Sequence, residues 1–212
     1  MKINLNSRNV LFRELKGDQY GLKALPQDSA KYFLDVGAAY GLISILARLL
    51  HPQMKIMAVE PHAETYADLV ANVDHMQILT LNAALGTGAM FYLEKERKMK
   101  LCNSFGPEEK NTRAIQSFTL SELINKCNFK PEDTVIKMDC EGAEWNMIGN
   151  KNDEEIIKLC KLLALEVHNK KGERRIDDFY QWIVNLAGNT HEITVYNHSP
   201  TLGVVKAVKG VQ

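Results

Sequence analysis

The sequence predicts an α/β fold: a mostly parallel sheet with helices on both faces. Three observations support this. Apolar β-rich runs alternate along the chain with runs of helical period. Several of the apolar runs are continuous rather than alternating, the pattern of strands covered on both sides. The run Phe33-Leu34-Asp35-Val36-Gly37-Ala38-Ala39-Tyr40-Gly41 joins a strand to an apolar helix through a turn with two glycines.

Strands are expected at Tyr32–Val36, 55–60, 77–81, 134–139, Leu162–His168, 192–196 and Leu202–Lys209. Lys137 interrupts an otherwise apolar strand and must snorkel or pair. Leu42–Leu50 is apolar nearly all round, so it is expected to be a buried helix that Pro52 ends. A second helix covers Ala63–Val73. Thr119-Leu120-Ser121-Glu122 is a capping box opening a helix to about Cys127. Residues 173–187 carry Ile176, Phe179, Tyr180, Ile183, Val184 and Ala187 at the three-four spacing of one buried helical face. Acidic residues Glu141 and Glu144 precede and open a further helix near Ala143, where they oppose its positive end. Residues 1–25 read as a hairpin or flap, and residues 86–118 as a long loop-like excursion of the kind that often carries function.

The 212 residues are read as one domain, 1–30 an N-terminal flap portion and 31–212 a catalytic core. Hydrophobic residues make up 45 %, enough for a sizeable core. Lys plus Arg equals Asp plus Glu at 26 each, so the broad positive field of sequence-independent nucleic-acid binding is missing. Four cysteines without a Cys-x-x-Cys pair suggest neither a disulfide framework nor a structural zinc. With no signal-like leader and no apolar span of bilayer length, a cytoplasmic setting without a membrane partner is expected.

Candidate ligand residues fall at successive strand ends. Gly37 and Gly41 let the first turn tighten and approach a ligand, and a helix N-terminus follows. Glu60, nineteen residues after Gly41 and followed by Pro61, is placed to accept hydrogen bonds from both hydroxyls of a ribose. Asn82 and Ala83 follow the third strand and could border a flat base. A dinucleotide fingerprint needs Gly-x-Gly-x-x-Gly, but Asp35 stands at the first glycine position, where a carboxylate would repel pyrophosphate. It tolerates a cationic ligand, and S-adenosylmethionine carries an ammonium, a sulfonium, a ribose and adenine. NAD, with an oxidoreductase activity, is the runner-up cofactor; a non-catalytic binding module is the other alternative.

Asp35-x-Gly37-x-x-x-Gly41, Val59-Glu60-Pro61, the Thr119-Leu120 helix opening and Ile136-Lys137-Met138-Asp139-Cys140-Glu141-Gly142-Ala143-Glu144 together resemble the FkbM-like family of S-adenosylmethionine-dependent methyltransferases. Leu165-Glu166-Val167-His168 looks like that family's late glutamate-x-histidine strand. The resemblance spans roughly residues 31 to 170. It implies a class I methyltransferase (Rossmann-like) fold, a seven-stranded sheet with a reversed final strand, usually acting on an oxygen nucleophile. It also implies Asp35, Gly37 and Glu60 around the cofactor, with Asp139 at its methionine end; Ala38, beside Gly37 in the same turn, is a further candidate cofactor contact.

Asp139, Glu141 and His168 are the catalytic candidates. A hydroxyl acceptor sheds a proton on methylation, and a carboxylate or imidazole at the strand edge can take it. Asp139, Glu141, Glu166 and His168 also offer oxygen and nitrogen ligands, but alternate strand residues face opposite sides, so no metal is expected. Asn103 and Ser104, in the long excursion, are candidate contacts to the acceptor. The basic groups Lys95, Arg97, Lys98 and Lys100, and Lys170, Lys171, Arg174 and Arg175, read as solvated surface. The expected partner is a small-molecule or saccharide acceptor.

Overall fold

In the computed structural model, which describes residues 16–87, 90–94, 105–106, 112–169, 175–199 and 202–210, β1 (Tyr32–Val36) is an interior strand of a seven-stranded sheet. On one side it pairs in parallel with β2 (Lys55–Val59), which pairs in parallel with β3 (Ile78–Leu81). β4 (Ala84–Leu85), β5 (Met90–Glu94), β6 (Phe105–Gly106) and β7 (Thr112–Phe118) form a separate four-stranded sheet. On its other side β1 pairs with β8 (Thr134–Met138), followed by β9 (Leu162–His168), β10 (His191–Ser199) and β11 (Leu202–Lys209). The order across the large sheet is β3-β2-β1-β8-β9-β11-β10, and β11 runs antiparallel to both its neighbours. All seven strands expected from the sequence are present.

Boundaries shift by a residue or so, for local reasons. Glu60 and Asp139 fall just past β2 and β8 rather than inside them. Gln77 sits in the left-handed region at φ 54°, so β3 starts one residue later. β10 is longer than 192–196 at both ends. The excursion at 86–118 is not simply loop: it supplies β5, β6 and β7 of the second sheet, in the order β4-β7-β5-β6. Most of the expected flap, Asn103, Ser104 and all the basic groups except Arg175 lie outside the described residues.

The helices match closely. α1 (Leu42–Leu50) and α2 (Ala63–Val73) have the expected limits, and α3 (Leu120–Cys127) begins at the Thr119–Glu122 capping box. The acidic stretch near Ala143 forms a short 3-10 helix, Ala143–Met147. α4 (Lys151–Leu159) has no counterpart in the sequence expectation: it buries only Asp153 and Ile157, too few to make a periodic stripe. Asn150, whose side chain accepts from the amides of Asn152 and Asp153, starts it. α5 (Ile176–Ala187) begins later than residue 173, because Arg175 is extended and Asp178 accepts its amide.

Strand residues alternate between two cores. Leu34, Val36, Ile136, Met138, Leu163 and Leu165 pack with α3, α4 and α5 on one face. Phe33, Ile56, Val135, Leu162 and Ala164 pack with α1, α2, Tyr20 and Leu22 on the other. Helices therefore cover both faces, and only the strand ends are left for a ligand. No helix among the described residues is long and apolar enough to cross a membrane.

The turn after β1 is held tightly against the end of β8. Gly37 has φ 74°, and a Cβ there would overlap the Asp139 carbonyl oxygen. Gly149 has a similar φ of 81° with open space around it. Both alanine variants share a left-handed strain of about 1–2 kcal/mol, but only Gly37→Ala must also push two strand ends apart. Thermal unfolding should show Gly37→Ala lowering the midpoint clearly more than Gly149→Ala; equal shifts would remove close approach as the reason for this glycine.

Candidate functional site

Asp35 and Lys137 are register partners on β1 and β8 and point to the same face. Their side chains are 0 % and 4 % exposed, with Lys137 Nζ 3.1 Å from Asp35 Oδ1. Nζ donates to the Gly37 carbonyl at 2.7 Å and lies 5.5 Å from the Tyr20 ring centre, while Ser44 on α1 donates to Asp35 Oδ2 at 2.6 Å. Burial opposes the ammonium, but Asp35 and Asp139 outweigh it and raise the lysine above its ordinary range. The expected pairing of Lys137 is found. Asp35, in contrast, does not present an open charge to a ligand: its carboxylate is sealed inside and serves the turn.

The backbone of that turn is also engaged. The amides of Gly37 and Ala38 both donate to Val59 O at 2.9 Å, and Gly41 donates to Ala38 O at 2.8 Å. Ala39, at φ 47°, donates to Glu60 Oε2 at 2.9 Å, and the His62 amide donates to Glu60 Oε1 at the same distance. Each Glu60 oxygen thus has one backbone donor and room for another. Glu60 is 7 % exposed, and burial, only partly offset by these two amides, raises its carboxyl to about 7. Asn82 Nδ2 donates to the carbonyls of Glu60 and Pro61 at 2.8 and 3.0 Å. It therefore braces the β2 end against β3, and Ala83 beside it is fully buried.

On the other side of the turn, Asp139, Glu141 and His168 come together. His168 Nε2 lies 3.5 Å from Glu141 Oε2 and 3.8 Å from Asp139 Oδ1. Glu141 reaches this place from a left-handed backbone, φ 54°. Glu166 does not join them: it accepts from Gln19 Nε2 at 2.6 Å and Tyr20 Oη at 3.1 Å, tying the N-terminal segment to β9. Burial raises Asp139 to about 7, with Lys137 and His168 opposing and Glu166 and Glu141 adding to the rise. Burial disfavours the His168 imidazolium, but Glu144, Glu141 and Asp139 prevail and lift it to about 9.

Glu144 is the residue that sequence reasoning undervalued. It was expected only to oppose a helix end, yet it is 0 % exposed. Oε2 accepts the Gly142 amide at 2.9 Å, and Oε1 accepts the His168 amide at 2.6 Å, with Nδ1 of the same residue at 3.3 Å. Trp145 Nε1 donates to His168 O at 2.8 Å. The 3-10 helix after β8 therefore fixes both the backbone and the ring of His168. A contact across 24 residues has no local sequence signal, although a second glutamate three residues after Glu141 was visible.

Residues 35–193 match the model of the methyltransferase FkbM domain. Among solved structures, the chain is similar to a methyltransferase FkbM from Methylobacillus flagellatus KT, at 16 % identity and TM-score 0.55. That match covers 86 % of this chain and 44 % of the other, so this chain spans less than half the length of that protein. A precorrin-6y C5,15-methyltransferase from Geobacter metallireducens GS-15 aligns at 13 % identity and TM-score 0.51, covering 93 % and 88 %. An rRNA methylase from Streptococcus thermophilus aligns at 9 % and 0.55, covering 93 % and 96 %. At such identities the likeness is one of fold. No curated protein sequence matches the chain.

Removing one partner of a buried ion pair leaves the other charge stranded, at a cost of about 3–5 kcal/mol. Lys137→Met should lose about that much in urea denaturation, and Asp35→Leu/Lys137→Met should recover most of it. A single variant as stable as the parent would show that the pair does not hold the turn.

Proposed function

The chain belongs to the FkbM methyltransferase domain family, and on that premise we propose that it methylates a hydroxyl of a small molecule or saccharide, using S-adenosylmethionine. The observation that carries this reading is the meeting of Asp139, Glu141 and His168 one strand away from the Gly37 turn, where an acceptor can lie beside a bound cofactor.

The residues present fit that cofactor. A buried glutamate with one unused acceptor position on each oxygen suits the two hydroxyls of a ribose, and Glu60 supplies it at the β2 end. Asn82 and Ala83 border the neighbouring strand end, and Gly37, Ala38 and Gly41 form the turn between Glu60 and Asp139. Asp139 Oδ1 is buried without a hydrogen-bond donor among the described residues and can receive one from a ligand. When bound, S-adenosylmethionine supplies a methyl group already activated by a positive sulfur.

The chain's own task is then to align an acceptor and handle its proton. Alignment of reacting groups is worth about 7–11 kcal/mol, the largest contribution available here. Asp139 and Glu141 offer carboxylate oxygens to an acceptor hydroxyl, and proton removal of this kind contributes about 10²–10⁴-fold. His168, held by Glu144, presents Nε2 to the same point. Lys137 is not available as an acid or base, being enclosed with Asp35.

Labelled methyl groups offered with mixtures of hydroxyl-bearing small molecules, sugars and RNA should appear on the hydroxyl compounds. Label on RNA alone, or on no acceptor by a cofactor-loaded protein, would contradict the proposal. Asp139→Asn should reduce turnover about 10²-fold or more while leaving the affinity for adenosylhomocysteine within a few-fold; undiminished turnover would remove Asp139 from the chemistry. Ribose hydroxyls favour the ionised form of Glu60. With its carboxyl at about 7, the ionised share falls about tenfold from pH 8 to pH 6. Calorimetry should therefore show adenosylhomocysteine binding about tenfold weaker at pH 6, and Glu60→Gln should be weak at both values. A wild-type affinity flat with pH would disprove the ribose contact.

A further inference from the structure

We propose that Asp139, Glu141 and His168 form a binding site for a divalent cation of the Mn²⁺, Co²⁺ or Zn²⁺ type. This deepens the reading of methyl transfer to a hydroxyl and rests on it for the cation's role, while the binding itself is independent of that reading. The three candidate ligand atoms all lie within 4.8 Å of one another. Ligand atoms about 2.1 Å from a common ion stand about 3.0–3.5 Å apart, so the 3.5 and 3.8 Å separations at Nε2 need only a small contraction. One imidazole and two carboxylates suit borderline first-row ions better than calcium.

Two further observations point to a ligand. Asp139 Oδ1 is buried and accepts no hydrogen bond from any of the described residues, a costly state that a cation would relieve. Metal-bound histidines characteristically donate their second ring N–H to a carboxylate, which fixes the tautomer and turns the free nitrogen toward the ion. Glu144 holds that position, with Oε1 3.3 Å from His168 Nδ1, so Nε2 faces the other two carboxylates. The sequence expectation of no metal rested on alternate strand residues pointing apart. That argument fails because Asp139 and Glu141 lie beyond β8, where a left-handed backbone at Glu141 folds its side chain back. A three-ligand site would leave positions open for an acceptor hydroxyl, whose pKa the ion would lower while the second carboxylate oxygen of Asp139 or Glu141 takes its proton.

Cobalt is the probe. Co²⁺ added to chelator-treated protein should give visible d–d bands that saturate near one equivalent. His168→Ala and Glu141→Gln should each abolish the bands or shift saturation at least tenfold, and Glu144→Gln should weaken binding about 10–100-fold. His75→Ala, at an exposed histidine next to Asp74, should leave binding unchanged. Absence of bands in the parent protein, or bands unaltered in both ligand variants, would overturn the site. Adenosylhomocysteine binding, measured on the same samples, separates this failure from failure of the methyltransferase reading: intact cofactor binding with no cobalt site rejects the cation alone.

Discussion

A single buried ammonium organises the ligand end of the sheet. Lys137 stands opposite Asp35 in the parallel β1–β8 register, donates to the carbonyl of Gly37 and lies under Tyr20. Two desolvated charges are costly, and their mutual contact is supplemented by Ser44 donating to Asp35 Oδ2 and by the turn carbonyl accepting from Lys137. The consequence is geometric. The strand ends of β1 and β8 are locked side by side, with Gly37 packed against the backbone of Asp139 between the Glu60 and His168 clusters.

The two sides differ in electrostatic character. Around Glu60 one buried carboxyl is met by two backbone amides and, among the described residues, by no side-chain cation in contact, a setting suited to neutral hydroxyl donors. Around His168 three carboxylates converge on one imidazole, an excess of negative charge suited to a cation. Backbone strain marks both: Ala39 and Glu141 occupy the left-handed region, each at a cost of about 1–3 kcal/mol. In each case the strained residue brings a polar group to the site, the Ala39 amide to Glu60 and the Glu141 carboxylate to His168.

What the sequence made legible follows from the range of the forces involved. Continuous apolar runs and the Thr119–Glu122 cap act over a few residues, so the seven strands, α1, α2 and α3 were readable. α4 was not, because its exposed, charged surface hides the single buried Ile157. The 86–118 excursion was not, because its strands pair mainly with each other through backbone bonds that carry little side-chain pattern. At the site, Glu60, Asp139, Glu141 and His168 were visible as polar residues at strand ends. The sealed state of Asp35, the grip of Glu144 on His168 and the diversion of Glu166 to Gln19 and Tyr20 depend on contacts between residues distant in the chain.

The central claim is that neighbouring strand ends enclose one adenosyl ligand with its sulfur directed toward Asp139. Hydrogen–deuterium exchange with and without adenosylhomocysteine tests it most directly, because it reports where the ligand sits rather than whether it binds. The account expects slowed exchange confined to the 35–44, 59–62, 82–85 and 139–142 segments. Protection centred on β10 and β11, or binding with no protection at the β1 turn, would contradict it.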